Sequence, residues 1–118
     1  MNGSATRPLA AADARRIAEA FLPRFPLGNH YDYYYVRAKL GSDPLYPGVL
    51  AALRDSSDPL LDLGCGLGLL AHALRFDGQD LAYRGVDNDA AKITRAQRVA
   101  EKCGFTRTRF EVVDLART

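Results

Sequence analysis

No run of apolar residues approaches the ~18 that would cross a bilayer, so no membrane span is expected. Two cysteines, Cys65 and Cys103, are too few for a disulfide framework. Met1-Asn2-Gly3-Ser4 is followed by no apolar stretch of the kind a secretory signal needs, and the expectation is a cytoplasmic protein. Charge of one sign is not concentrated either. Sixteen Lys and Arg against fourteen Asp and Glu leave +2, spread along the chain. Nothing in that balance directs the protein to nucleic acid or to a membrane surface. The absence of any sequence repeat excludes collagen-like and coiled-coil rods.

What is present is an ordinary globular mixture, 47% apolar and 25% charged over 118 residues, which is one structural domain. Residues 1–8 are polar and read as a loose lead-in. From Leu9 to Leu22 apolar residues recur at helical spacing until Pro23 and Pro26 stop them. Tyr31 to Leu40 reads as a second helix ended by Gly41. Ser42 or Asp43 caps a third, with Pro44 at its first position and Leu45, Val49, Leu50 and Leu53 along it. The polar stretch Asp55-Ser56-Ser57-Asp58-Pro59 divides this helical segment, residues 1–58, from residues 59–118.

After Pro59 the pattern changes to strand, helix, strand, helix, strand. Leu60-Leu61-Asp62-Leu63 is a short buried strand, and Leu69 to Leu74 opens a helix that stops near Gly78. Leu81 to Val86 is a second strand ending at Asp87. Asp89 caps a helix with Ile93, Ala96, Ala100 and Cys103 on one face, closed by Gly104. Thr108 to Val113 is a third strand, ending at Asp114. Its alternation of Arg109 and Glu111 with Phe110 and Val112 suits an edge. Short connections between such elements imply a parallel sheet with right-handed crossovers.

The chemistry gathers at the strand ends. Gly64-Cys65-Gly66-Leu67-Gly68 follows a strand and opens a helix, where glycines let a ligand approach the backbone. Asp62 precedes the loop, Asp87 ends the second strand 19 residues after Gly68, and Asp114 ends the third. Open α/β sheets bind ligands at these ends. A carboxylate at 87 can accept from both hydroxyls of a ribose, and one at 114 from an exocyclic amine. Asp62 adds negative charge near the loop, which favours a cationic ligand over a pyrophosphate. A dinucleotide fingerprint started at Gly64 fails at Leu69, and a phosphate-binding P-loop fails for want of a lysine. Cys65 reads as a small loop filler, since no basic residue stands beside it in sequence to lower its pKa. Cys103 reads as a helix packing residue, and His72 as structural or exposed. No metal site is expected.

The run Leu60-Leu61-Asp62-Leu63-Gly64-Cys65-Gly66-Leu67-Gly68 resembles the first motif of class I S-adenosylmethionine-dependent methyltransferases. Tyr83-Arg84-Gly85-Val86-Asp87-Asn88-Asp89 resembles the second motif, and Phe110-Glu111-Val112-Val113-Asp114-Leu115 the third. The resemblance covers residues 59–115. It implies an α/β, Rossmann-like parallel sheet with strands in the order 3-2-1, and S-adenosyl-L-methionine as cofactor. The cofactor residues it implies are Asp62, Gly64, Cys65, Gly66, Gly68, Asp87, Asn88, Asp114 and Leu115. Asn88 would lie against the adenine and the Leu115 backbone near the ring edge, although an apolar residue is more usual at position 88.

By the same resemblance the N-terminal helices form a cap. Their segment His30 to Lys39 would cover the cofactor, with Arg37 or Lys39 toward its carboxylate; the plainer reading packs one or two of its rings and exposes the rest. The chain looks truncated against the family's seven-stranded fold. Two functional readings follow. One is a methyltransferase, or its cofactor-binding part, acting on a small-molecule or lipid-like acceptor; nucleic acid is not expected, and no catalytic base is identified. The other is a non-catalytic nucleoside-binding module that lacks the transfer site. A further expectation is that the 118 residues alone transfer no methyl group and self-associate through an unpaired edge of the first strand.

Overall fold

Three parallel strands carry the motifs in the structure, a computed structural model that describes residues 9–114. The loose lead-in read over residues 1–8 and the backbone role read for Leu115 lie outside the described residues. The chain forms two compact units, Met1–Arg54 and Asp55–Thr118.

The first unit is helical. Helix α1 spans Ala11–Ala18 and tightens into a 3-10 turn over Glu19–Phe21. Helix α2 spans Tyr31–Ser42 and α3 spans Leu45–Leu53. Ala14, Ile17, Ala18, Phe21, Val36 and Leu40 are buried, the apolar stripes that helical spacing brings together. Gly41 does not end α2 as expected. It sits in the helix, and a Cβ placed there would lie 3.7 Å from the Cβ of Ala14 on α1, an ordinary packing distance. The stop comes at Asp43, whose Oδ1 accepts from the Leu45 N–H at 2.9 Å and turns the chain into α3. Along α2, Tyr33 is buried while Tyr31, Tyr34 and Tyr35 are exposed. Lys39 pairs with Asp43 at 3.1 Å, and Arg37 Nη1 donates to the Tyr33 hydroxyl at 3.5 Å.

The second unit is the α/β part. Strand β1 is Leu60–Leu63, β2 is Tyr83–Asp87 and β3 is Thr108–Val112, with β2 in the middle. Both pairings are parallel, and Asp62, Gly85 and Phe110 fall in register across the sheet. β1 and β3 are the edges among the described residues, as the 3-2-1 order requires. Helix α4, Leu69–Phe76, joins β1 to β2, and α5, Ala90–Lys102, joins β2 to β3. Their buried faces, Ala71, Ala73 and Leu74 on α4 and Ile93, Ala96 and Ala100 on α5, build the core with Tyr83 and Phe110. Asp89 caps α5, its Oδ1 accepting from the Lys92 N–H at 3.1 Å. Cys103 departs from the expected face. It is exposed at the C-cap, where the helix turns out toward Gly104 at φ 71°.

β2 begins at Tyr83 rather than Leu81. Leu81 is buried, but only the Ala82 carbonyl reaches β1 there, accepting from the Leu60 N–H at 2.8 Å. Below the strands, Arg75 at the end of α4 donates to the Gln79 carbonyl at 2.9 Å, the Arg107 carbonyl at 3.2 Å and the Thr108 hydroxyl at 2.8 Å. The Arg107 carbonyl also accepts from the Tyr83 N–H at 2.8 Å. This double grip holds Arg107 at φ 55°, a left-handed conformation uncommon for a residue with a Cβ.

Candidate functional site

The glycine loop is stitched to the end of β2. The N–H groups of Gly64 and Cys65 both donate to the Val86 carbonyl, at 2.8 and 3.0 Å. Gly66 N–H donates to Asp87 Oδ2 at 2.8 Å, and Asp89 N–H to Asp87 Oδ1 at 2.9 Å. Gly64, Gly66 and Gly68 have φ of 71°, 55° and 81°, values that L-residues avoid. A Cβ at Gly64 or Gly66 would meet nothing within 4 Å, so that side of the loop is open. Gly68 is tight instead, because the Phe110 ring lies against it.

Asp87 is an ionised group by construction. The N–H of Asp89 does most to hold its carboxyl below the usual carboxylate range; burial, the next influence in size, opposes it, and the N–H of Gly66 and the charge of Lys92 add to the lowering. Each carboxylate oxygen can accept a second hydrogen bond, so these contacts orient Asp87 without exhausting it.

Asp62 has the opposite environment. Burial pushes its carboxyl above the usual range and the charge of Asp87 adds to the rise, while a hydrogen bond from the Tyr83 hydroxyl, 2.5 Å from Oδ2, opposes it. Cys65 is buried, and burial together with the charges of Asp62 and Asp87 pushes its thiol up to about 12. Such a thiol is no nucleophile near neutral pH. Among the described residues no group of His, Cys, Asp and Glu could hold a metal ion.

The structure therefore brings Asp62, Gly64, Cys65, Gly66, Gly68 and Asp87 together at the C-terminal ends of β1 and β2. Asn88 follows at the surface. Asp114 is exposed just past β3, whose end is tied to β2 by the Val113 N–H donating to the Asp87 carbonyl at 2.9 Å. His72, on α4, is not part of this cluster. It is buried against the Phe105 ring with centroids 4.8 Å apart, and burial lowers its pKa to about 4.

Sequence reasoning assigned no role to Tyr83 or Gly85. A Cβ at Gly85 would fall 2.8 Å from Cys65 Sγ and 2.9 Å from the Tyr83 hydroxyl, so the glycine makes room for both. A glycine inside a buried strand is the available signal of such close approach.

With this geometry in view, the family is defined. The family model for a methyltransferase domain matches residues 54–117, just over half of the chain, and the chain belongs to that family. No curated protein matches it. The methyltransferase family and the Rossmann-like α/β sheet agree with the expectations from the three motifs. No helix among the described residues is long and apolar enough to cross a membrane.

Proposed function

We propose that the chain binds S-adenosylmethionine at the glycine loop and serves methyl transfer to a small-molecule or lipid-like acceptor. The observation that carries this reading is the Gly66 N–H to Asp87 Oδ2 hydrogen bond at 2.8 Å, which sets an ionised acceptor beside an open, left-handed glycine backbone. The donor set suits the cofactor: carboxylates for hydroxyls and an amine, bare backbone for a close approach, and no basic residue in the loop for a pyrophosphate. When bound, S-adenosylmethionine supplies an electrophilic methyl group.

In this reading Asp87 accepts from the ribose hydroxyls and Asp114 from the adenine amine. Asn88 and the Leu115 backbone border the ring. Gly64, Gly66 and Gly68 shape the cradle, Cys65 fills behind it, and Asp62 sets a negative charge next to the cationic end. The protein's contribution to the reaction is alignment, worth up to ~7–11 kcal/mol in favourable cases. Residues 59–118 would be the cofactor-binding part and residues 1–58 a helical cap. The exposed Leu61 and Leu63 on edge strand β1 support self-association of the isolated chain.

Calorimetry with S-adenosylhomocysteine and NAD tests the reading. Saturable binding of the first and none of the second is expected; tighter binding of NAD would overturn it.

A further inference from the structure

Behind the loop a line of contacts runs across the sheet. Gly68 meets the Phe110 ring, Phe110 meets Tyr83 with centroids 5.5 Å apart, and Tyr83 donates to Asp62 Oδ2 at 2.5 Å. Tyr83 is 2% exposed, so its ring is fixed by packing rather than by solvent. The hydroxyl reaches Asp62 only because Gly85, in register with Asp62, has no side chain to block it. Beyond this bond the Asp62 side chain makes no other hydrogen bond among the described residues, which leaves Oδ1 uncommitted two residues before Gly64.

We propose that Tyr83 is a positioning residue for cofactor discrimination: it locks one oxygen of Asp62 so that the carboxylate stands as a fixed negative charge beside the loop, favouring a sulfonium cation over the neutral thioether left after transfer. The inference rests on the proposed S-adenosylmethionine site and deepens it. Substrate and product share ribose, adenine and amino-acid groups and differ by a methyl group and one positive charge. A nearby anion is the simplest device that tells them apart, and its effect is larger in a partly buried setting than in water. An anion that swings between rotamers spreads its field; one tied to a packed phenol does not.

The same hydrogen bond keeps Asp62 charged. Asp62 is buried enough to resist ionisation, and the Tyr83 hydroxyl is what offsets that resistance. The titratable groups around it are Tyr83 and Asp87 on β2 and Cys65 in the loop. The Cys65 thiol, at about 12, stays neutral, so Asp87 is the one charge among them that acts on Asp62 near neutral pH. Without the phenol, Asp62 would gain its proton at a higher pH.

Tyr83→Phe keeps the ring and removes the donor. Calorimetry of the chain with S-adenosylmethionine and S-adenosylhomocysteine, from pH 5 to 8, should show the preference for the sulfonium falling about three- to tenfold in the variant. The residual preference should disappear at a higher pH in the variant than in the native chain. In the ligand-free chain, carbon NMR of the Asp62 carboxyl should titrate higher in Tyr83→Phe. A purely structural tyrosine would lower the melting temperature and leave the affinity ratio and the carboxyl titration unchanged; that result overturns the assignment alone. Failure of the native chain to bind either compound overturns the proposed function, and the assignment with it.

Discussion

The Phe110 ring lies so close to Gly68 that a Cβ at position 68 would fall 2.5 Å from its Cε1 atom. The first residue of the loop and the last have different reasons to be glycine. Gly64 is required by its φ of 71° alone, since a Cβ there meets nothing. Gly68 is required by its φ of 81° and by the ring together. Gly68→Ala should therefore cost roughly 2–4 kcal/mol of stability, left-handed strain plus overpacking. Gly64→Ala should cost about 1–2 kcal/mol, the strain alone. Urea denaturation of both variants gives the difference; equal costs would mean that Phe110 moves aside freely.

Asp87→Ala removes two prospective hydrogen bonds to the ribose and also releases the Gly66 N–H. The expected loss is about 2–3 kcal/mol of binding to S-adenosylhomocysteine, near a hundredfold in Kd. Asp89→Ala, which strips the cap of α5, should instead cost about 1 kcal/mol of stability and leave most of the affinity. Calorimetry and thermal melting on both variants separate the roles, and equal affinity losses would mean that Asp87 does not hold the ribose.

His72 should make stability depend on pH. Its folded pKa, about 4, lies below the ordinary 6.5, so the unfolded chain takes up the proton first as pH falls. Stability is retained above pH 6.5 and drains away between 6.5 and about 4, by roughly 3 kcal/mol if no rearrangement intervenes. Asp62, raised above 3.8 by burial, acts in the opposite sense, adding stability as pH falls. His72→Leu should flatten the slope between pH 6.5 and 5 whatever it does to stability at neutral pH. Denaturation midpoints across that range are the measurement.

The two thiols should differ sharply toward a disulfide reagent at pH 8. Cys103 is exposed and should react at once. Cys65 is buried with its thiol pushed up to about 12, and should react only on unfolding. Prompt reaction of both would show that the loop opens readily.

Much of this was legible in the sequence, because it was local. The strand–loop–helix run from Leu60 to Leu74, the Asp89 cap and the Gly104 turn are set by neighbours within a few residues. Gly41 misled because a glycine also fits inside a helix where another helix packs closely, and only the partner, Ala14, reveals which applies. The bond from Tyr83 to Asp62 spans 21 positions and depends on strand register and a missing side chain at Gly85. Arg75 grips atoms more than thirty positions away, and three of its four acceptors are backbone carbonyls that carry no mark in a sequence.

That last feature bears on which changes the unit could tolerate over time. Because Arg75 holds the turn before β3 through the main-chain oxygens of Thr106 and Arg107 and the hydroxyl of Thr108 at the start of the strand, the side chains of residues 106 and 107 take no part in the clasp. Thr106 and Arg107 can be exchanged without undoing the clasp, and glycine at 107 would even relax the backbone. Arg75 has no such freedom: lysine lacks the planar fork that serves several acceptors at once. Drift at this end of the sheet should accumulate in the turn and spare the arginine that grips it.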